Sequence, residues 1–149
     1  MEGGAKRLLF KFKLMRQTKI RTILDGKNST GAGTAALIAD YRHKVLTVAT
    51  DGMGSGDTIT VKVQGSCSET APDFDSAKSW DNEWDYIQVI DLEDGSAIDG
   101  DTGISFADSD DLRKFAINID GLRWINVTVT NISDPTNTKV YAKVTLYND

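Results

Sequence analysis

The sequence predicts an all-β chain: an antiparallel β-sandwich or jelly roll with an extended basic N-terminal arm. Three observations predict it. Apolar and polar residues alternate with period two in at least six segments, as strands with one buried face require. Asp-Gly pairs recur at 25–26, 51–52, 94–95, 99–100 and 120–121, where tight turns between strands are expected. Helical periodicity is scarce. With 149 residues, the chain is long enough to bury a core as one domain. The division expected is a basic arm or edge strands over residues 1–33 and a sandwich body over 34–149.

Taken in order, residues 8–14 set Leu8, Phe10, Phe12 and Leu14 against Leu9, Lys11 and Lys13, which is a strand period. Residues 25–33 and 66–81 are polar and predict surface loops. The stretch 34–42, with Ala35, Ala36, Leu37 and Ile38, leaves helix or strand open. Residues 45–50 form a short apolar run, expected to be buried on both faces. Residues 57–65 place Ile59, Val61 and Val63 on one face. Residues 84–92 predict a strand through Tyr86, Ile87, Val89 and Ile90. Ser109, followed by Asp110 and Asp111, could cap one helical turn. Residues 113–119 alternate through Phe115, Ile117 and Ile119, and residues 122–130 through Ile125, Val127 and Val129. Asp120-Gly121 between them predicts a type I′ hairpin, because both turn positions of that type need φ > 0. Asp134-Pro135 marks a further turn before residues 138–146, which point Val140, Ala142, Val144 and Leu146 inward. No internal repeat is present, which argues against a solenoid or propeller.

Charge is distributed unevenly. Residues 1–21 carry seven bases and one acid, a balance of +6, whereas the other 128 residues carry −11 of the chain's net −5. Two readings fit the basic segment. Lysines on an exposed edge strand discourage aggregation. Alternatively, Lys6, Arg7, Lys11, Lys13, Arg16, Lys19 and Arg21, with Leu8, Phe10 and Phe12, form a partner-binding arm. Phe10 and Phe12 between bases also resemble a stacking strand for nucleic acid, but the acidic body would repel phosphate, so protein binding ranks higher. No secretory signal is expected, since no apolar core or cleavage site follows the bases. Cys67 is then expected to be a reduced thiol and Asn28, Asn126 and Asn131 unmodified, consistent with synthesis in a cytosol. No apolar run approaches the ~20 residues of a membrane span.

The search for chemistry gives little. One Cys excludes a disulfide framework, and one His with one Cys cannot supply a typical zinc site. His43 has no nucleophile motif near it and reads as a surface or edge histidine. Asp73, Asp75, Asp81, Glu83 and Asp85, then Asp91, Glu93, Asp94, Asp99 and Asp101, could in principle hydrolyse a glycoside or hold calcium. Their spacing lacks a calcium-loop pattern, and turn formation explains the same letters. No enzyme activity, cofactor or metal is therefore expected. Trp80, Trp84, Tyr86 and Trp124 could form a sugar-stacking platform, or fill the core or a subunit interface.

Residues 114–130, Lys-Phe-Ala-Ile-Asn-Ile-Asp-Gly-Leu-Arg-Trp-Ile-Asn-Val-Thr-Val-Thr, with the later Val-Tyr-Ala-Lys-Val of 140–144, resemble the closing hairpin of β-sandwich structural proteins from tailed-bacteriophage virions. Val-Lys-Val-Gln-Gly-Ser at 61–66, Trp-Asp-Tyr-Ile-Gln-Val at 84–89 and the acidic-glycine stretch through 98–103 fit the same pattern. The resemblance covers about residues 57–147 and is one of strands and turns, not of a catalytic signature. Such modules occur in capsid decoration (cement) proteins and in tail proteins. The resemblance implies a non-enzymatic assembly role: a homo-oligomer bound to the major capsid protein on the capsid exterior. A tail or baseplate component and a host-attachment carbohydrate module remain alternatives. The basic arm lies outside the resemblance, so its role rests on its charge and its apolar face.

Overall fold

Strands form where the alternation is strongest. The structure, a computed structural model, describes residues 18–148. In chain order the strands are β1 (Thr18–Lys27), β2 (Gly31–Ala32), β3 (Ala36–Leu37), β4 (His43–Asp51), β5 (Thr58–Ser66), β6 (Asp85–Tyr86), β7 (Val89–Asp91), β8 (Ala97–Ile98), β9 (Ile104–Ala107), β10 (Leu112–Ala116), β11 (Trp124–Ile132) and β12 (Lys139–Tyr147). No helix is present among the described residues. Two antiparallel sheets pack together. The first has the order β1-β12-β4-β10-β7-β8. The second has the order β2-β11-β5-β6, with β3 also on β11 and β9 also on β5. The expected β-sandwich is therefore the fold.

The inner faces supply the core. Leu46, Val48, Phe115, Val140, Val144 and Leu146 of the first sheet meet Ile59, Val61, Val63, Ile125, Val127 and Val129 of the second, all 0–2% exposed. These are the positions that period two selects, and their burial supplies the main driving force for folding. Arg113 also points between the sheets. Its guanidinium lies over the rings of Phe106 and Phe115, 5.7 and 5.1 Å from their centroids, and donates to Asp91 Oδ2 at 2.6 Å.

Several expectations are corrected. Residues 84–92 are not one strand: β6 belongs to the second sheet and β7 to the first. Ile87 and Val89 fill the same core from either side of this crossing, so the apolar period continues while the backbone changes sheets. Asp120-Gly121 is likewise no hairpin, because β10 and β11 lie in different sheets. Gly121 adopts φ 87°, but Asp108 is the one non-glycine residue with positive φ among those described, so no Asp-Gly pair forms a type I′ turn. The residues at 34–42 give the short β3 and then a turn in which Tyr41 N–H donates to Ile38 O at 3.2 Å. Ser109 caps no helix. The Asp110 carboxylate instead accepts the N–H groups of Gly52 and Met53, tying the β4–β5 turn to the start of β10. The stretch 25–33 is not all loop, since it holds the end of β1 and all of β2.

Candidate binding surfaces

The outer faces of the two sheets differ. On the second sheet, Gln64, Ser66, Asn126 and Thr128 point outward yet are only 0–7% exposed. The loop of residues 67–84 covers much of this face. Phe74 and Trp84 anchor it, both buried and both outside the main apolar cluster, with ring centroids 6.3 Å apart. Gln64 Nε2 donates to Phe74 O at 2.9 Å, and Ala32 N–H to Asp75 Oδ1 at 2.8 Å. Glu83 Oε2 accepts from the Ser66 hydroxyl, the Cys67 N–H and the Ser68 hydroxyl. The loop thus forms a partial third layer with its own small core.

This arrangement separates the four predicted aromatics. Trp84 is 9% exposed, donates Nε1–H to Ser76 O at 3.0 Å and meets Tyr86 edge-on at 5.1 Å. Tyr86 is half-buried beneath Lys62 Nζ, which sits 4.9 Å from the ring centroid. Trp124 is half-buried, with Nε1–H directed at Glu69 O, 3.4 Å away. Trp80 stands apart, 97% exposed on a turn closed by reciprocal Ser79 and Asn82 backbone bonds of 3.1 and 3.2 Å. The four rings do not form one stacking platform.

The acidic residues shape their own loops. Asp73 accepts from Asp75 N–H and Ser76 Oγ, Asp94 from Ser96 N–H, and Asp99 from Asp101 N–H. Asp85 is paired with Lys78 at 2.6 Å. Where carboxyl pKa values are displaced, they move down. The Ser76 hydroxyl lowers Asp73, the Ser66 hydroxyl Glu83, Lys78 lowers Asp85, Glu93 N–H Asp91, and Ser96 lowers Asp94. A general acid needs the opposite displacement. Among the described residues no group of His, Cys, Asp and Glu side chains is placed to hold a metal ion. His43 stacks on Tyr147 with centroids 4.7 Å apart.

Of the basic residues predicted to bind a partner, Lys19 and Arg21 lie on β1; Lys6, Arg7, Lys11, Lys13 and Arg16, with the apolar Leu8, Phe10 and Phe12, lie outside the described residues. Strand β1 is the edge of the first sheet, and its first five residues are exposed. The other edge positions belong to strands of two to four residues. β1 therefore offers the long edge for strand addition among the described residues, with positive charge on it.

One surface was not singled out from the sequence: the uncovered outer face of the first sheet. Ile20, Leu92, Leu112 and Tyr141, four of the six large exposed apolar side chains among the described residues, lie on it. The outward alternation of Tyr141, Lys143 and Thr145 was the available signal, but which strands adjoin it was not legible.

No protein-family model matches the chain, and no curated protein matches it. Its fold is similar to that of the SPBc2 prophage-derived protein YomS, with TM-score 0.59 and 14% identity over 89% of this chain and 95% of that one. It is also similar to the PBSX exported protein XepA, with TM-score 0.60 and 18% identity over 89% of this chain. The match spans 38% of XepA. At these identities the likeness is one of fold.

Proposed function

We propose that this protein is a non-enzymatic structural component of a phage virion, a decoration (cement) protein that binds the assembled coat shell from outside. The observation that carries the reading is the exposed basic edge of β1, continuous in sequence with the basic segment before it. A coat strand would add to this edge through backbone hydrogen bonds. Lys19 and Arg21, with Lys6, Arg7, Lys11, Lys13 and Arg16, would meet carboxylates at subunit junctions. Binding the assembled shell in preference to loose subunits stabilises the shell by mass action. The fold likeness to the SPBc2 prophage-derived protein YomS supports a phage setting.

The test is binding to expanded empty shells across a salt series, with location in a virion density map. Binding should weaken as salt rises, and Lys19→Glu/Arg21→Glu should reduce it at least tenfold. Shells that bind the double variant as well as the parent would refute the reading. A carbohydrate-binding role retains one specific support, the exposed Trp80. A glycan-array signal lost in Trp80→Ala would favour it.

A further inference from the structure

The free edge of β1 is short, and its two sides differ in chemistry. No described strand lies beyond β1 in the first sheet. At Ile23 the edge is closed, because Thr34 N–H donates to Ile23 O at 2.9 Å. The closing segment also reaches the second sheet, where Gly33 N–H donates to Val127 O at 3.0 Å. Residues 18–22 are left exposed, about 17 Å of extended chain. Lys19 and Arg21 lie opposite the inward-facing Leu146 and Val144, so they stand on the core side of the sheet, at its margin. Neither has an ion-pair partner among the described residues. Ile20 lies on the outer side and is 59% exposed. It begins a row of Ile20, Thr145, Val45, Ala116, Ile90 and Ala97 that crosses all six strands without a charge.

We infer that this edge recognises an extended protein segment with an acidic–apolar–acidic alternation and rejects a second copy of itself. The inference rests on strand addition at β1, proposed above, and deepens it by naming the chemistry of the added strand. Side chains directly across a ladder share a face and interact. In the antiparallel sense of the sheet's own ladders, the residues opposite Lys19 and Arg21 would be carboxylates. The residue between them would lie beside Ile20. An apolar side chain there continues the uncharged row and removes Ile20 from water. A second copy fails this rule. Two β1 edges paired antiparallel, with their outer faces on one side, oppose residues of equal parity. Centred on Ile20, the pairing sets Lys19 against Arg21 twice. Centred on Lys19 or Arg21, it sets that base against its own copy. Each of these registers places like charges directly opposite, which is destabilising. The register that would bring Asp25 to Lys19 needs the edge at Ile23, which Thr34 occupies. The backbone ladder offers affinity to any strand, and the side chains decide which strand is kept.

The experiment titrates the full, isotope-labelled chain with short capped peptides at millimolar concentration. Three peptides carry Glu-Val-Glu, Lys-Val-Lys or Glu-Ser-Glu between flanking threonines. Amide NMR signals of residues 18–22 should move with the Glu-Val-Glu peptide. The Lys-Val-Lys peptide should bind roughly tenfold more weakly, and the Glu-Ser-Glu peptide roughly threefold more weakly. Lys19→Glu/Arg21→Glu should reverse the order of the acidic and basic peptides. Both residues are exposed, and a reversal is a result that a damaged edge cannot give. Unmoved amides at residues 18–22, equal affinity for the acidic and basic peptides, or no reversal in the variant would overturn the inference. Edge amides protected in a dimer that dissociates on dilution would also overturn it, by assigning the edge to a second copy. The shell assay remains separate. Peptide preference without shell binding overturns the capsid reading alone, and shell binding without peptide preference overturns this inference alone.

Discussion

Replacing Trp84 with alanine should detach the loop of residues 67–84 while leaving the sandwich folded. The substitution removes the packing of Trp84 on Phe74, its edge contact with Tyr86 and its 3.0 Å bond to Ser76 O. Truncating a buried Trp costs about 3–5 kcal/mol. Water can refill a site under a surface loop, so the lower end applies, about 3 kcal/mol for closing the loop. At 1.4 kcal/mol per decade, that is a rise of roughly a hundredfold in the open population. Native-state hydrogen exchange reads this directly. The amides of Ala32, Cys67 and Asp73, whose acceptors are side chains of the loop or its base, should exchange roughly a hundredfold faster. Amides at Leu46 and Val144, in the main core, should not change. Trp84→Phe should fall between, since it keeps a ring but loses the indole N–H. Equal acceleration at Leu46 and Val144 would refute the claim that the loop has a core of its own. So would an unchanged rate at Asp73. The same result bears on sugar binding, because a signal lost in Trp84→Ala would report a displaced loop and not a lost stacking ring.

Asp91→Asn should cost about 2 kcal/mol at pH 7, since it uncouples the Arg113 guanidinium from a carboxylate that is 6% exposed, and urea denaturation would measure it. Because Glu93 N–H and then Arg113 hold the Asp91 pKa down in the folded state, this stabilisation is present above the ordinary carboxylate range and is lost as pH falls through the folded value. The gap between parent and Asn variant should therefore narrow as pH falls below the ordinary carboxylate range. Gly33→Ala should cost about 3 kcal/mol in thermal or urea unfolding, because its Cβ would lie 2.2 Å from Ile23 O, a backbone atom that cannot step aside. Replacing calcium with EDTA should move the unfolding midpoint by less than ~1 °C, and a shift above ~5 °C would mean that the acidic loops hold an ion.

Long strands with one buried face were legible, because β5, β11 and β12 write their burial into every second residue. Ile59, Val61 and Val63 of β5, Ile125, Val127 and Val129 of β11, and Val140, Ala142, Val144 and Leu146 of β12, the positions that rule selects, are all buried. What period two cannot show is which sheet a strand joins. Ile87 and Val89 keep the apolar period while the chain crosses from β6 to β7, so the crossing leaves no mark in the pattern. The burial of Gln64, Ser66, Asn126 and Thr128 was equally invisible, since polar letters resemble a wet face whether or not chain folds over them, as Phe74 and Glu83 do on Gln64 and Ser66 and Gly33 does on Asn126. Among candidate binding residues, the exposure of Lys19 and Arg21 followed from their charge. The separation of the four aromatics did not, because it depends on how the loop of residues 67–84 folds back.

The position of β12 between β1 and β4 has a kinetic consequence. Until β12 arrives, β1 has no neighbour in its sheet, although residues 18–27 are made long before residues 139–147. The ladder joining them closes a loop of more than a hundred residues, and such non-local pairings slow folding. On the ribosome, the basic strand would stay single until synthesis has passed Tyr147. Refolding should show β4 and β10 protected from exchange before β1. A permuted chain that joins β12 directly to β1 should fold faster, at little cost in equilibrium stability.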